Sequence, residues 1–445
     1  MSAPAQETID TSAYFPRGAS AEQAAAQSFS GYMMGLAGSE IQRIAAEVRA
    51  LQAQGREVCN LTIGDFSPKQ FPIPASLISA THVACESGNT NYPPPEGALV
   101  LRQAIARLYE RDLGLRYPVE SILIGSGARP MIYATYLALL NPGERVVYPV
   151  PSWNNNYYTY LAQAEAVEIP VSREDNFLLT AAQLEPYLNG ARLVCLNSPL
   201  NPSGTMYSAE ALRELCKLIV AENRRRQQTG ERLLYVLYDQ IYWMLSFGGA
   251  RHHTPVEVVP EMAAYTIMVD GISKGFAATG LRVGWLVAAP HITLRMRSLL
   301  SHIGAWAPHP EQVATAQVLD DVEGLEQFRR QMRAEVAGRL EALYNSFMEM
   351  RDEGLPVDAI SPQGAIYLSA QIDLVGRALE GRRFESNEDI RRFLLEEAGV
   401  AVVPFNAFGL NEESGWMRLS VGAASREQIE RGMQRIAALL ARTRA

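Results

Sequence analysis

Cysteine and long apolar runs are scarce in this chain. Only four cysteines occur in 445 residues (Cys59, Cys85, Cys195, Cys216), with no CxxC spacing, so neither a metal site nor a disulfide framework is expected, and a reducing compartment is. No stretch approaches the roughly 18 uninterrupted apolar residues of a membrane span, and the first residues lack the basic start and apolar core of an export signal. Charge is acidic overall, net −8, without the basic footprint of nucleic-acid binding. The single basic cluster, Arg224, Arg225 and Arg226, reads as a solvated helix face. These absences lead to the expectation of a soluble cytoplasmic protein with no nucleic-acid partner and no membrane partner.

What the chain does have is ample apolar content, 48% of its residues, enough for a large core in two or three domains. Residues 1–30 are rich in Ala, Ser and Gln and read as an arm. From Ser39 onward Ile41, Ile44, Ala45, Val48 and Leu51 recur at helical spacing, and Gly55 ends the pattern. Between about 95 and 290, the short apolar runs SILI (121–124), RVVY (145–148), RLVCL (192–196), LLYVLY (233–238) and TIMV (266–269) alternate with helical patterns. Such runs suit strands buried on both faces, and the alternation implies a largely parallel sheet covered by helices. A long helical segment then runs towards Met350. A smaller α+β region follows, with GAIYLSA, GVAVVPF and WMRLSV as strand candidates.

In open α/β sheets ligands gather beyond the carboxyl ends of the strands. After SILI comes Gly125-Ser126-Gly127-Ala128, a small-residue turn opening a helix, which offers backbone N–H groups and a positive dipole end to an anion. After RVVY comes Trp153. After RLVCL comes Asn197-Ser198-Pro199-Leu200-Asn201-Pro202-Ser203-Gly204, whose prolines fix where the Asn201 amide points. LLYVLY ends at Asp239, a carboxylate that needs a cationic partner if buried, with Tyr242 just beyond. After TIMV come Ser273 and Lys274, then Arg282. Each has a bland structural reading. Together they supply an anion cradle, an aromatic plate, an amide, a carboxylate, a phenol, an amine and a guanidinium at one sheet edge, and those parts fit pyridoxal phosphate.

SKGFAATGLRVG and NSPLNPSG, in order with YDQIYW and WMRLSV, resemble the signatures of the class I pyridoxal-phosphate-dependent aminotransferases, the aspartate aminotransferase superfamily of fold type I. The likeness runs from about Ser39 to Ala445. It implies that Lys274 forms the Schiff base, that Asp239 keeps the pyridine nitrogen protonated, and that Tyr242 and Asn201 hydrogen-bond the ring's phenolic oxygen. It implies further that Trp153 stacks on the ring and that Ser126, Gly127, Ala128 and Arg282 hold the phosphate. Tyr92, in NYPPPEG, is implied to reach the cofactor of a second subunit, so a homodimer is expected. Arg418 is implied to pair with the substrate α-carboxylate, helped by backbone near Gly64. The implied architecture is α/β: a large cofactor-binding domain over 86–330, a small α+β domain from 31–85 and 331–445, and the arm. The implied reaction moves an amino group between an L-amino acid and a 2-oxo acid. A lyase on the same fold, performing β-elimination or ring formation, remains the alternative.

The sequence also departs from that pattern. Ala128 stands where the most similar bacterial aspartate aminotransferases carry a lysine for acidic side chains, with Arg129 next to it. Phe405 replaces a glycine of VPGxxFG and is expected to add apolar bulk where substrates enter. Gly271 stands where some members have a phosphate-binding serine, which leaves Ser273 as the nearby hydroxyl. Arg251, His252 and His253 read as solvated loop residues.

Overall fold

The computed structural model describes residues 20–379 and 381–442. Residues 1–19, most of the expected arm, lie outside the described residues, as do 443–445. Chain contacts divide the molecule at Ser39/Glu40. Before that point the chain is not featureless: Ala21–Ser28 is helical, started by a capping box in which Ser20 and Gln23 each accept the other's backbone N–H.

The unit from Glu40 onward begins with the expected helix, Glu40–Ala53, which buries Ile44 and Val48. Strand β1 (Cys59–Asn60) follows. Seven strands then form the main sheet: β2 (Ile122–Gly125), β3 (Arg145–Val150), β4 (Glu165–Pro170), β5 (Ala191–Asn197), β6 (Tyr235–Asp239), β7 (Thr266–Gly271) and β8 (Gly284–Val287), in the spatial order β2-β8-β7-β6-β5-β3-β4. Only β8 runs against its neighbours. The sheet is therefore mostly parallel and α/β, as expected. Helices cover both faces because both faces are apolar. Met268 and Tyr238 pack into one core with Leu101, Ile105 and Leu108 of the helix Leu99–Leu113, whereas Val269 and Leu237 pack into the other with Met131 and Tyr136.

Two strands of the main sheet escaped the sequence reading. β4 is an edge strand with one buried residue, Ile169, so it has no apolar run to detect. β8 is only four residues long and directly follows the small-residue stretch.

The later strands are β9 (Val357–Ala359), β10 (Tyr367–Ile372), β11 (Ala378–Leu379), β12 (Arg382–Arg383), β13 (Val400–Ala401), β14 (Val403–Pro404) and β15 (Trp416–Ser420). A further core gathers residues of β9, β10, β11, β13 and β15 with the helices Val322–Asp352, Asn387–Glu397 and Arg426–Ala441, while Val403 of β14 packs into the main-sheet core. β1 pairs with β13, joining the two ends of this unit. By contacts Glu40–Ala445 is one unit, and its cores cross the expected boundaries, Ile44, Leu77 and Val403 packing with the main sheet and Tyr242 with the later strands, so the division into 31–85 with 331–445 against 86–330 stands as a proposal.

The basic cluster needs correction. Arg226 is buried, not solvated: it donates to the carbonyls of Ala191 (2.7 Å), Leu188 (2.7 Å) and Arg232 (3.0 Å) and to Glu222 (2.7 Å). Its place on the helix Ala209–Thr229 turns it towards the amino end of β5, where those carbonyls need donors.

Candidate active site

The carboxyl ends of β5, β6 and β7 open on a cavity of about 660 Å³. Of the residues the sequence singled out, Gly64, Ala128, Trp153, Asn201, Asp239, Tyr242, Ser273, Lys274, Arg282 and Arg418 all line it. Ser126 and Gly127 lie behind its wall. Tyr92 does not line it; that ring is 84% exposed and stands 5.1 Å from Trp306.

Lys274 is not at the strand end itself. β7 stops at Gly271, and Lys274 sits in the single helical turn Ile272–Gly275. Its Nζ donates to the Gly64 carbonyl at 2.5 Å. Burial pushes the amine down to about 8, against the pull of Asp65 in the opposite direction; Arg418 and Arg129 push it down further. Asp239, the last residue of β6, is pushed up to about 6 by burial, opposed by the Ile241 N–H (3.0 Å) and by Lys274. Among the described residues no ion pair compensates this carboxylate.

Arg418, in the middle of β15, is 1% exposed and likewise has no ion pair. Nη1 donates to Asn201 Oδ1 (3.2 Å), Nη2 donates to the Thr62 carbonyl (2.5 Å), and Nε has no partner. Its guanidinium lies between the Tyr367 and Phe408 rings, 4.7 and 4.9 Å from their centroids. A buried cation held only by neutral acceptors is costly unless an anion joins it.

The anion turn is built by close backbone approach. Gly125, Gly284 and Gly271 lie side by side across β2, β8 and β7. A Cβ on Gly284 would come 2.7 Å from the Ala128 nitrogen, and one on Gly271 would come 2.8 Å from the Val283 carbonyl. This explains Gly271: a serine there does not fit against β8, and the nearby hydroxyl on the cavity is Ser273. The N–H groups of Ser126 and Gly127 are already used, by the carbonyls of Ala305 (2.9 Å) and Gly125 (2.7 Å). Arg282, in the left-handed region at φ 57°, donates to the Ser126 (2.9 Å) and Thr279 (2.7 Å) carbonyls. The charge at the turn is thus the guanidinium, fixed against its backbone.

Two expectations are overturned. Phe405 does not line the cavity; fully buried, it packs on Phe177, Phe408 and Trp416 in the core. His252 is not solvated: it is 7% exposed, 3.3 Å from Gln240, and burial holds it down at about 3, whereas Arg251 and His253 meet Glu257. The sequence reading missed Tyr367, whose hydroxyl is 2.6 Å from that of Tyr242, and it missed Asp65 and Arg49 on the cavity wall. Tyr367 lies in a segment whose only sequence signal is an apolar strand.

These residues fit pyridoxal phosphate. A buried carboxylate without a counter-charge awaits a cationic ring nitrogen, a half-neutral lysine suits an aldehyde, and a fixed arginine beside a helix start suits a phosphate.

Comparison with known proteins agrees. The family model for aminotransferase class I and II matches residues 56–436. The aspartate aminotransferase of Bacillus sp. (strain YM-2) is 30% identical over 395 residues, 88% of this chain and 94% of that protein. A probable aspartate/prephenate aminotransferase of Rhizobium leguminosarum bv. phaseoli is 31% identical over 398 residues, again 88% and 94%. The crystal structure of the aspartate aminotransferase from Rhizobium meliloti superposes with a TM-score of 0.85 at 28% identity, covering 93% of this chain and 99% of that one. With lysine, aspartate and arginine gathered at one sheet edge and a match over this length, the chain belongs to the class I and II aminotransferases and is an aminotransferase that uses pyridoxal phosphate.

Proposed function

We propose that Lys274 carries the cofactor, that Asp239 keeps its ring nitrogen protonated, and that Arg418 receives the α-carboxylate of an amino acid. The single observation that carries this reading is that Asp239 and Arg418, neither of them in an ion pair among the described residues, line one cavity with Lys274 and are close enough to act on its amine. When bound, pyridoxal phosphate supplies the electron sink that lets the amino acid's Cα–H bond ionise.

The chain's own groups do the rest. Arg418, whose fork suits a carboxylate in two-point contact, orients the substrate. Asn201 steadies that guanidinium through Oδ1. Lys274 Nζ, pushed down to about 8, is neutral often enough near that pH to take the proton from the substrate Cα and hold it for return. Tyr242 and Tyr367, joined through their hydroxyls, hold a polar wall beside the amine. Arg282 would anchor the phosphate with Ala128 and Ser273 beside it, the Ser126 carbonyl holding the guanidinium and Gly127 shaping the turn behind, and Trp153 would give the ring a flat face.

The acceptor and donor are dicarboxylic in this reading. Ala128 offers no charge, but Arg129 lines the cavity with its guanidinium 4.6 Å from the Trp153 ring centroid, and no carboxylate pairs with it among the described residues. The relatives named aspartate aminotransferase support the same substrate class. We further propose a homodimer in which Tyr92 serves the second subunit's site. Its exposure, its place off its own cavity, and the exposed apolar Ile78, Val83, Leu99 and Val100 support this.

The test is the visible spectrum of purified protein during additions of single amino acids, then of a 2-oxo acid. The expected result is bleaching of the yellow band by aspartate or glutamate and its return with 2-oxoglutarate. Release of pyruvate and ammonia without an acceptor would sink this reading in favour of a lyase.

A further inference from the structure

Beneath the cavity, on the other face of the sheet, lies a second buried carboxylate that the reaction as derived above does not use. Asp270 is 1% exposed on β7. In register Asp239 pairs with Val269, so Asp270, one residue further, points to the opposite face, where it pairs across β8 with Trp285. Its Oδ1 accepts from the Gly271 N–H (2.7 Å), and its Oδ2 accepts from Trp243 Nε1 (2.7 Å) and from the Tyr109 hydroxyl (3.1 Å).

The direction of the last bond follows from proton counting. The Tyr109 oxygen already receives Gln240 Nε2 (3.0 Å) and Trp285 Nε1 (3.1 Å), both obligate donors, so its own hydrogen goes to Asp270. His252 closes the far side against Gln240 Oε1 (3.3 Å). Three donors converge on the carboxylate and none is left over. Burial pushes Asp270 up to about 7, opposed by the hydrogen bonds from Gly271, Trp243 and Tyr109, with Asp239 raising it further. The other ionisable groups nearby are His252, held neutral by burial, and Arg329, whose guanidinium is 5.0 Å from the Trp243 ring centroid.

Four members of this network are near neighbours in sequence of cavity residues, and Tyr109, on the helix Leu99–Leu113, links them. Gln240 follows Asp239 and Trp243 follows Tyr242; Asp270 precedes the Lys274 turn, and Trp285 of β8 lies three residues after Arg282. We infer that Asp270 is a positioning residue: through Trp243, Tyr109, Gln240 and Trp285 it fixes the spacing between the segments that carry Asp239, Tyr242, Lys274 and Arg282. The inference rests on the reading given under Proposed function for those four residues.

Asp270→Asn tests it, because one amide oxygen cannot accept all three hydrogen bonds and its NH₂ must face a donor. Tyr109→Phe is the milder partner, since it keeps the charge and removes the link from Asp270 to Gln240 and Trp285. Both are made as holoenzymes, and kcat, KM for the amino donor, Tm and the circular dichroism of the visible cofactor band are measured. The expected result for D270N is a kcat lower by roughly tenfold to a hundredfold with KM changed less than about threefold, and a clearly weakened dichroic band. Y109F moves the same two readouts in the same direction by less. If D270N does not fold, Y109F decides alone.

Three results overturn the inference: variants matching the parent in kcat and dichroism, a loss confined to Tm, or an effect in D270N with none in Y109F. A parent with no visible band overturns both this inference and the reading of Lys274. A parent with its band and unchanged variants overturns the network's role alone.

Discussion

The two ends of the main sheet each bury an arginine, and the two are treated in opposite ways. At the amino end Arg226 has carbonyls and Glu222 around its guanidinium, with four hydrogen bonds between 2.7 and 3.0 Å. At the carboxyl end Arg418 has two neutral acceptors, an Nε with no partner and, among the described residues, no carboxylate in an ion pair with it. The carboxylates divide in the same way: Asp270 receives three donors, Asp239 one. Arg226, Arg418 and Asp270 are all fully buried while Asp239 is only half-buried, so burial alone does not identify a site. Unused hydrogen-bonding capacity on a buried charge does, because folding tolerates it only where a ligand completes it.

Five substitutions, in four comparisons, sharpen or break that contrast. Lys274→Ala, which removes the amine between the two incomplete charges, is expected to abolish the visible band and lower transamination by at least about a thousandfold, read by stopped-flow absorbance. Next comes a matched pair. Arg418→Ala is expected to lower kcat/KM for the amino donor by about a hundredfold or more with a small change in Tm, whereas Arg226→Ala leaves kcat/KM near the parent value and costs about 3–5 kcal/mol of stability. Equal effects of the two on Tm would remove the distinction.

Third, Asp239 has a folded value of about 6, above its ordinary 3.8, so the cofactor-free protein favours its neutral form. Its contribution is fully present below pH 4 and is lost as pH rises through 6. Asp239→Asn is therefore expected to make the cofactor-free protein more stable at pH 8 by on the order of 2–3 kcal/mol, with little change at pH 4, in denaturant titrations. The smallest effect is Arg129→Ala: a loss of roughly tenfold in preference for acidic over neutral donors, from the ratio of kcat/KM values.

Much of this site was legible because its residues follow strands made of continuous apolar runs. Asp239, Lys274, Asn201 and Trp153 could be placed from what comes after LLYVLY, TIMV, RLVCL and RVVY, since chain order and strand ends coincide in a parallel sheet. Tyr367 and Arg49 could not be placed that way. They reach the cavity from a strand and a helix whose patterns report only their own buried faces. Phe405 and His252 were misread for the reverse reason: polarity and position in a loop say nothing of what packs over it. Arg226 shows the same limit inside a helix, where an RRR run conceals one inward position. Strand β8 went unread because it is short and reversed, yet its reversal delivers Arg282 to the turn.

The three glycines aligned across β2, β8 and β7 carry a consequence for heredity. Gly284 contacts no substrate and offers no side chain, but any methyl there collides with the backbone of the turn at Gly127 and Ala128. On the proposed reading of that turn, an allele changing Gly284 to alanine is expected to behave in a genetic screen as a lesion of cofactor retention, partly rescued by excess vitamin, with every side chain proposed to hold the phosphate unaltered. The inventory of a binding site, seen from the genome, includes codons for residues that the ligand never meets.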